Sequence, residues 1–267
     1  MSRAEEAPEG AIERRLSAGA DWLVREEPLL IQVRDQSVLT MRTPGHDEDL
    51  AIGFLLAEGV LADVADVTSI DSTPGNADAL EPDTVRVGLA KAPAARVAGR
   101  LTRTHEIRSS CGICGLVSAD ELLDDTLPLL SGVPRIDRAE IPGLLAKFHA
   151  GQVLFRRTGA CHAAAVCTAE GTILGFGEDV GRHNALDKAI GQAARGGHDL
   201  DHAICLLSGR AGFDLVLKCL RVRIGFVISV SAASALSFDL CASAGATLIG
   251  FARGDDFKVY CDSGRLA

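Results

Sequence analysis

The chain has 267 residues, of which 47% are hydrophobic and 24% charged, and its formal net charge is −9 at pH 7. A chain of this length can bury a sizeable core, so we expect one large domain or one domain with a smaller attachment. The acidic balance excludes general nucleic-acid binding, which requires a basic stripe against the phosphate backbone.

The N-terminal residues are polar and rich in glutamate, and they contain no apolar stretch of the signal-peptide kind. No later apolar run approaches the length of a membrane span. We therefore expect a soluble cytoplasmic protein that makes no membrane contact, with a disordered N-terminal tail at residues 1–15.

The next part of the chain predicts a smaller α/β unit at residues 16–133. A helix should begin near Asp47 and end before Gly59, because apolar residues recur there at four-residue spacing. Alternating segments on either side favour strands, and Asp35-Gln36 is the predicted turn of the first pair. The predicted strands are Leu29–Val33, Ser37–Thr43, Val67–Ser72 and Thr84–Leu89.

Two helices, Ala119–Leu123 and Asp137–His149, are expected around a domain boundary near Ser131–Arg135. From residue 153 onward, short β runs alternate with helical spacing, which predicts a larger α/β domain at residues 134–267. Such alternation is typical of a mostly parallel sheet with helices on both faces. The predicted elements are strands Ala163–Thr168, Thr172–Phe176, Ala203–Leu207, Phe226–Val230, Ala246–Phe251 and Phe257–Tyr260, with helices Asp179–Ala194, Phe213–Arg223 and Ser234–Ala244.

Most of the eight cysteines stand alone in apolar segments, where a thiol usually acts as a small buried hydrophobe. Cys111 and Cys114 are different, because they lie three residues apart in a run of small residues, Ser109–Gly115. Flanking glycines allow a partner backbone or a large ligand to approach the two sulfurs closely. The cysteines expected to be buried are Cys161, Cys167, Cys205, Cys219 and Cys241.

Three functions fit the Cys111/Cys114 pair. A structural zinc site would need two further ligands, which Cys161 and His162 could supply. A dithiol oxidoreductase has the same spacing, although a strand leading into a helix at the pair is not evident. A sulfur carrier would hold sulfur as a persulfide on one thiol, and the second thiol could assist its release. Spacing alone does not choose among them.

Three loops that follow predicted strands carry residues suited to an anionic ligand. Gly175–Asn184 contains Arg182 and His183, and Ser208–Gly212 contains Arg210 and precedes Lys218. Gly250–Asp256 offers a phenylalanine for base stacking, an arginine and a pair of carboxylates. Loops at the carboxyl ends of strands in an open α/β sheet meet at one edge, where ligands collect.

Zinc-dependent deaminase chemistry does not fit the chain. Such enzymes carry His-x-Glu and then Pro-Cys-x-x-Cys. Here Ser110 precedes Cys111, and Glu106 directly follows His105. We therefore expect no zinc-dependent deaminase catalysis, and we expect Cys161-His162 to begin a strand.

Several segments together resemble the FdhD family of formate dehydrogenase accessory sulfurtransferases. They follow the family order along nearly the whole chain. The segments are Met41–Gly45, Gly53–Leu55 with Glu58-Gly59, Ser109–Gly115, His162–Ala165, Glu178–Lys188, Ser208–Arg210, and Gly250-Phe251 with Arg253-Gly254.

The resemblance implies a sulfur carrier that accepts sulfur as a cysteine persulfide from a cysteine desulfurase. The carrier would pass this sulfur to the molybdenum cofactor, Mo-bis(molybdopterin guanine dinucleotide), before the cofactor enters formate dehydrogenase. The resemblance makes Cys111 the persulfide carrier and Cys114 its partner. It also implies a homodimer whose larger domain is similar to cytidine deaminases without their zinc, so that no catalytic or structural metal is expected.

Cofactor contacts are expected from the same resemblance at Phe251, Ala252, Arg253, Gly254, Asp255 and Asp256. Four further residues, Arg182, His183, Arg210 and Lys218, are candidates for phosphate contacts. The alternative function is a non-catalytic chaperone that binds the molybdenum cofactor and in which the cysteine pair is structural or redox-sensitive.

Overall fold

The computed structural model describes residues 8–17, 19–91, 123 and 126–267. Its strands form a two-stranded, a four-stranded and a six-stranded sheet. The helix predicted at Ala119–Leu123 lies outside the described residues except for Leu123. No helix in the described part of the chain is long and apolar enough to cross a membrane.

An antiparallel hairpin opens the described chain, formed by β1 (Ala11–Leu16) and β2 (Gly19–Val24). The two strands pair over their whole length, from Ala11 opposite Val24 to Leu16 opposite Gly19. Residues 11–15 are therefore not the disordered tail that we expected, because their backbone groups bond to β2.

The four-stranded sheet contains the strands predicted for the first half of the chain. Its order is β4-β3-β6-β5, and only the β3–β6 pairing is parallel. The turn between β3 and β4 is Arg34-Asp35 and not Asp35-Gln36, because Val33 pairs with Gln36 and Arg34 has a φ of 56°. The strands are β3 (Glu27–Val33), β4 (Gln36–Arg42), β5 (Val67–Thr73) and β6 (Asp83–Leu89).

Helix α1 (Asp47–Ala57) lies against this sheet and is buried on most of its circumference, as is typical of a helix between two layers. Arg42 at the end of β4 is fully buried and orients the start of helix α1. The Arg42 guanidinium donates to both carboxylate oxygens of Asp47, at 2.9 and 2.7 Å, and it also contacts the carboxylate of Asp83.

The six-stranded sheet has the order β12-β11-β10-β9-β7-β8. Only the β9–β10 and β10–β11 pairings are parallel, so our expectation of a mostly parallel sheet is wrong. Short turns after β7 and β11 account for two of the three antiparallel pairings, because only antiparallel neighbours can be joined by a tight hairpin. The third is the pairing of β7 with β9. The strands are β7 (His162–Cys167), β8 (Ile173–Asp179), β9 (Ile204–Leu207), β10 (Phe226–Ser229), β11 (Thr247–Arg253) and β12 (Asp256–Cys261).

Helices cover both faces of this sheet, which confirms the expected α/β class and the three layers of the larger part. Successive residues of β9 point to opposite faces, so Cys205 belongs to one core cluster and Leu206 to the other. The helices after α1 are α2 (Ile141–Gly151), α3 (Val153–Thr158), α4 (Arg182–Arg195), α5 (Phe213–Arg221) and α6 (Ala235–Ala244).

Helices α1 and α4 cross at two glycines. A Cβ added at Gly53 would lie 1.8 Å from the carbonyl oxygen of Asp187, and one added at Gly191 would lie 1.8 Å from that of Asp49. The backbones therefore approach more closely than any residue with a side chain would allow. This crossing joins the four-stranded sheet to the larger sheet, and one core cluster contains residues of both. The domain boundary at 133/134 stays a prediction.

Candidate functional site

Several strands end at the same edge of the six-stranded sheet, which we call the loop edge and define by residues 179–183, 208–212, 230–234 and 251–256. The parallel strands β9, β10 and β11 have their carboxyl ends there. Strand β8 also ends there, because its last residue Asp179 pairs with His162, the first residue of β7. The three loops predicted to share an edge therefore do so.

Neighbouring loops along this edge contact one another. Ala211 and Ala233 form a parallel bridge between the loops after β9 and β10. The backbone N–H of Phe251 donates to the carbonyl of Ser231 at 3.0 Å, which connects the loop after β10 to β11. The Oγ of Ser229 donates to the carbonyl of Gly209 at 2.6 Å. The loop edge is thus one continuous surface.

Arg182 and His183 begin helix α4 at one end of the loop edge, and both contact a carboxylate from helix α5. Nη2 of Arg182 lies 3.2 Å from Oδ2 of Asp214, and Nε2 of His183 contacts the same oxygen. Burial alone would raise the pKa of Asp214, but the hydrogen bond and charge of His183 lower it overall. The sequence analysis did not single out Asp214, whose only signal was its position just after the loop Ser208–Gly212.

His162 lies beside these residues at the start of β7, with its side chain exposed. Burial of part of the ring and the positive charges of Arg182 and His183 lower the pKa of His162. A Cβ added at Gly209 would lie 3.3 Å from Nδ1 of His162, so the glycine leaves room for the ring. This brings a third basic side chain to the α4 end of the edge.

Arg210 and Arg253 occupy the middle and the far end of the loop edge. Both side chains are exposed, and neither guanidinium has a partner among the described residues. Arg253 precedes the turn of the β11–β12 hairpin and pairs in register with Asp256. Gly254 in that turn has a φ of +55°, which glycine adopts without strain.

The other residues expected to contact the cofactor lie around the same hairpin. Phe251 is 46% exposed and has a φ of 53°, whereas Ala252 is fully buried. Asp255 and Asp256 line a cavity of about 430 Å³. The guanidinium of Arg138 also lines this cavity and lies 5.1 Å from the ring centroid of Phe257.

Lys218 does not lie with these residues, in contrast to our expectation of a phosphate contact. Its ammonium group bonds both oxygens of Asp187, at 3.0 and 2.9 Å, and lies 3.1 Å from Oε1 of Glu58. Burial opposes its charge, but Asp187 and Glu58 raise the pKa of Lys218 overall. With 6% of its surface exposed and its protons directed to carboxylates, Lys218 is a structural ion-pair residue.

Asp179 and Lys188, which both belong to the segment Glu178–Lys188, form buried contacts with the first half of the chain. The carboxylate of Asp179 lies 2.9 Å from the Lys188 ammonium and accepts from the backbone N–H of Thr43 at 3.0 Å. Lys188 also donates to the carbonyl of Thr43 at 2.7 Å. Glu178 accepts from the backbone N–H groups of Leu154 and Phe155, both at 2.8 Å, and so caps helix α3.

Cys111 and Cys114 lie outside the described residues. The five cysteines expected to be buried are buried and free, which confirms that expectation. Burial raises the pKa of Cys161 and of Cys167 to about 12 in each case. Thiols with such pKa values are almost entirely protonated near neutral pH and are therefore weak nucleophiles.

No group of three or more histidine, cysteine, aspartate or glutamate side chains suited to a metal ion occurs among residues 8–17, 19–91 and 126–267. Cys161 directly precedes β7, as expected for a strand start. The fold and the loop edge therefore define an α/β protein with an arginine-lined edge suited to an elongated anionic ligand.

Comparisons with known proteins show the family to which this α/β protein belongs. The model of the FdhD/NarQ family matches residues 24–267. A sulfur carrier protein FdhD from Anaeromyxobacter dehalogenans is 39% identical, with 97% of this chain and 95% of the relative covered. Sulfur carrier proteins FdhD from Streptomyces avermitilis and Mycobacterium tuberculosis are also 39% identical, covering 94% and 92% of this chain and 91% and 92% of the relatives. The chain belongs to the FdhD/NarQ family.

A solved structure supports the fold independently. A protein from Desulfotalea psychrophila, described as a formate dehydrogenase accessory protein, matches with a TM-score of 0.72. The match covers 96% of this chain and 97% of that protein at 23% identity. The architecture is therefore shared across a large divergence in sequence.

Proposed function

We propose that this chain is a sulfur carrier that accepts sulfur on Cys111 and delivers it to a molybdenum cofactor. The observation that carries the proposal is the 39% identity over 97% of the chain to a protein named sulfur carrier protein FdhD. The sequence Cys111-Gly112-Ile113-Cys114 supplies the two thiols that such a carrier needs.

The first step is a thiol exchange with a cysteine desulfurase that carries a persulfide. The Cys111 thiolate attacks the outer sulfur of that persulfide, the sulfur–sulfur bond breaks, and the desulfurase thiolate leaves. No external oxidant or reductant is needed, because sulfane sulfur moves from one thiolate to another. The raised pKa values of Cys161 and Cys167 disfavour these residues as competing acceptors.

The second step releases the sulfur to the cofactor. The Cys114 thiolate attacks the inner sulfur of the Cys111 persulfide, which forms a Cys111–Cys114 disulfide and expels the outer atom as sulfide. The two thiols supply the two electrons that reduce sulfane sulfur to sulfide. A dithiol reductant then restores the pair for the next cycle.

The cargo in this proposal is Mo-bis(molybdopterin guanine dinucleotide), held at the loop edge. Arg182, His183, Arg210 and Arg253 bind its phosphates. The three arginines do so with guanidinium groups, which form paired hydrogen bonds with phosphate oxygens. Phe251 offers an exposed ring for stacking on guanine. Asp255 and Asp256 can accept hydrogen bonds from the donor edge of guanine. Lys218 is not included, because its charge is used by Asp187 and Glu58.

The client of this carrier is formate dehydrogenase, and the carrier acts in the cytoplasm as a homodimer. The client assignment is supported by the fold match to a protein described as a formate dehydrogenase accessory protein. The sulfurtransferase activity, the desulfurase partner and the dimer are the functional expectations that the family resemblance implies.

Persulfide loading is tested by mass spectrometry of the full chain after incubation with a cysteine desulfurase and cysteine. We expect one added sulfur atom on the peptide that contains Cys111 in the wild-type protein and none in Cys111→Ala. The Cys161→Ala variant is the matched control and should load normally, since Cys161 is buried with a raised pKa. Loading on another residue, or none in the wild type, contradicts the proposal.

Sulfur transfer and cofactor binding are separated by a second experiment. Cys111→Ala should abolish maturation of formate dehydrogenase while guanine-nucleotide binding survives. Arg253→Ala should load sulfur normally but lose nucleotide affinity. Full formate dehydrogenase activity with Cys111→Ala would instead favour a cofactor-binding chaperone without sulfur transfer.

A further inference from the structure

Strand β1 has one edge that no other described strand covers. It pairs only with β2, and their two-stranded sheet is separate from the two larger sheets. Helix α3 contacts β2, where the Arg157 guanidinium lies 5.0 Å from the ring centroid of Trp22. A two-stranded hairpin is only marginally stable by itself, and a free edge can accept a further strand.

The hydrogen bonds of the hairpin show which backbone groups of β1 point away from β2. The N–H of Arg25 donates to the carbonyl of Gly10 at 2.7 Å, so Gly10 belongs to the residues that bond across the hairpin. Every second residue of an antiparallel strand bonds in this way, which directs the even-numbered residues of β1 toward β2. The backbone groups of Glu13 and Arg15 therefore point outward. The Glu13 carbonyl accordingly accepts from the side chain of Arg14, at 3.3 Å.

Glu13 and Arg15 define this outer edge of β1, and they carry opposite charges. Both side chains are exposed, and neither forms an ion pair with another residue in the described part of the chain. Their Cβ atoms lie on the same face of the hairpin, because they are two residues apart in a strand. The outer edge is therefore an open backbone edge with one acidic and one basic side chain.

A second copy of the chain can pair with this edge about a two-fold axis. Outward-pointing residues must then lie opposite outward-pointing residues. A register centred on Glu13 or on Arg15 places like charges directly opposite each other, which is destabilising. A register centred on Ile12 leaves Arg15 without a partner. The register centred on Arg14 places Glu13 opposite the partner's Arg15, and the two-fold axis repeats this pair.

The register centred on Arg14 also suits the other face of the hairpin. Ile12 lies opposite Leu23 within the hairpin, and it would lie opposite the partner's Leu16 across the axis. Leu16 and Leu23 are 44% and 41% exposed, so the pairing adds apolar contacts between exposed side chains. Arg14 meets the partner's Arg14 at the axis, but each has Asp21 opposite it on β2 to balance its charge.

We propose that two copies of this chain associate by antiparallel pairing of their β1 strands, which joins the two hairpins into one intermolecular sheet. This inference rests on the proposed function, which includes a homodimer, and it adds the surface through which that homodimer forms. Each pair of Glu13 with the partner's Arg15 exchanges two backbone hydrogen bonds and brings opposite charges together. The contact is isologous, as a two-fold dimer requires.

Sedimentation velocity of the full chain at several concentrations measures the dissociation constant of the dimer. We expect the wild-type chain to dimerise. Arg15→Glu and Glu13→Arg should each raise the dissociation constant about tenfold, because two cross-strand pairs change from opposite to like charges. The double variant Glu13→Arg/Arg15→Glu should dimerise like the wild type, since it only exchanges the two members of each pair. Arg135→Glu is the matched control, with the same charge change at an exposed residue outside the hairpin.

An equimolar mixture of the two single variants tests the register directly. Arg15→Glu chains have an acidic residue at both pairing positions, and Glu13→Arg chains have a basic residue at both. The mixture should therefore form a heterodimer with about the wild-type dissociation constant, because both of its cross-strand pairs join opposite charges. Recovery of dimerisation on mixing would also show that each variant alone is correctly folded.

Wild-type dimerisation in both single variants, or a mixture that stays monomeric, overturns the inference. An equal loss of dimerisation in Arg135→Glu would indicate a nonspecific effect of charge and overturns it as well. A wild-type chain that is monomeric throughout overturns both the inference and the homodimer. Persulfide loading of Cys111, measured by mass spectrometry, is a separate readout. Loading without any effect of the charge variants refutes only the interface, whereas charge-dependent dimerisation without loading refutes only the sulfur-transfer proposal.

Discussion

Asp214 is the residue that organises the α4 end of the loop edge. Its side chain is mostly buried, and its carboxylate contacts Arg182 and His183 from the start of the neighbouring helix. Two basic side chains held by one carboxylate lose less entropy when they bind a ligand than two freely rotating ones. The charge of Asp214 therefore contributes both to the fold and to the orientation of the site.

We predict that Asp214→Asn destabilises the protein in a pH-dependent way. The pKa of Asp214 is lowered in the folded protein, where His183 outweighs the effect of burial. A carboxyl of this kind stabilises the fold above its unfolded pKa of about 3.9 and loses that contribution as the pH falls toward the folded pKa. The free energy of unfolding should decrease by about 1–3 kcal/mol at pH 7.

Urea unfolding at pH 7 and at pH 3 tests this prediction. The difference between wild type and Asp214→Asn should be smaller at pH 3, because the unfolded carboxyl is then largely protonated. Asp239→Asn, on the exposed side of helix α6, is the control and should change neither value. If Asp214→Asn lowers the free energy of unfolding equally at both pH values, the charge of Asp214 contributes nothing to stability.

At the scale of elements, the crossing of α1 and α4 determines where the loop edge stands relative to the smaller sheet. Gly53 and Gly191 each face a carbonyl oxygen of the other helix. The first turn of α4 carries Arg182 and His183, so any shift of this helix moves them relative to the loop after β9. The helix crossing and the site geometry are therefore coupled.

We predict that Gly53→Ala is strongly destabilising. The new methyl group would lie 1.8 Å from the carbonyl oxygen of Asp187, so the two helices would have to separate. Overpacking of this kind typically costs 1–3 kcal/mol or more. Gly143→Ala is the matched control, because that glycine lies in helix α2 with nothing within 4 Å of the added Cβ. The control should be neutral or stabilising by about 0.5–1 kcal/mol.

Thermal unfolding followed by circular dichroism measures both variants. A Gly53→Ala protein as stable as the wild type would mean that the helices can separate without cost. Gly191→Ala should behave like Gly53→Ala, since its Cβ would meet the carbonyl oxygen of Asp49 at the same distance.

Local patterns predicted many of the elements, because alternation and helical spacing are properties of neighbouring residues. The helix Phe213–Arg221 and the strand Phe226–Ser229 were predicted within two residues at each end. Ala169-Glu170-Gly171 indicated the antiparallel hairpin of β7 and β8, but the antiparallel pairings of β7 with β9 and of β11 with β12 were not predicted. Helix α3 was missed because it has only six residues, too few for a periodic pattern.

Local sequence patterns were limited in the same way for the candidate site. The general rule for α/β sheets predicted that Arg182, Arg210 and Arg253 lie at the same edge of the sheet, where strands end. Lys218 had a similar sequence context, but it is neutralised by Asp187 of helix α4 and by Glu58, which directly follows helix α1. Such long-range partners leave no signal in the residues around a lysine.

At the scale of the whole molecule, the two sheets are joined by packing and by a buried polar network. Asp179 and Lys188 both bond to the backbone of Thr43, which follows β4. The same core cluster includes Leu29 of the smaller sheet and Val227 of the larger one. Residues on both sides of the proposed boundary therefore depend on each other for burial.

We predict that the chain unfolds in one cooperative transition despite its two major sheets. A shared core cannot be exposed on one side only, so the calorimetric and van't Hoff enthalpies should agree. Lys188→Met should lower the Tm of this whole transition, because it leaves Asp179 buried without its ammonium partner, which typically costs 3–5 kcal/mol. Lys91→Met is the control, since that ion pair with Asp66 is exposed and contributes about 0–1 kcal/mol. Differential scanning calorimetry that resolves two transitions in the wild type would contradict this prediction. Such a result would favour two independent folding units divided at 133/134. Lys188→Met would then lower the Tm of the two transitions by different amounts.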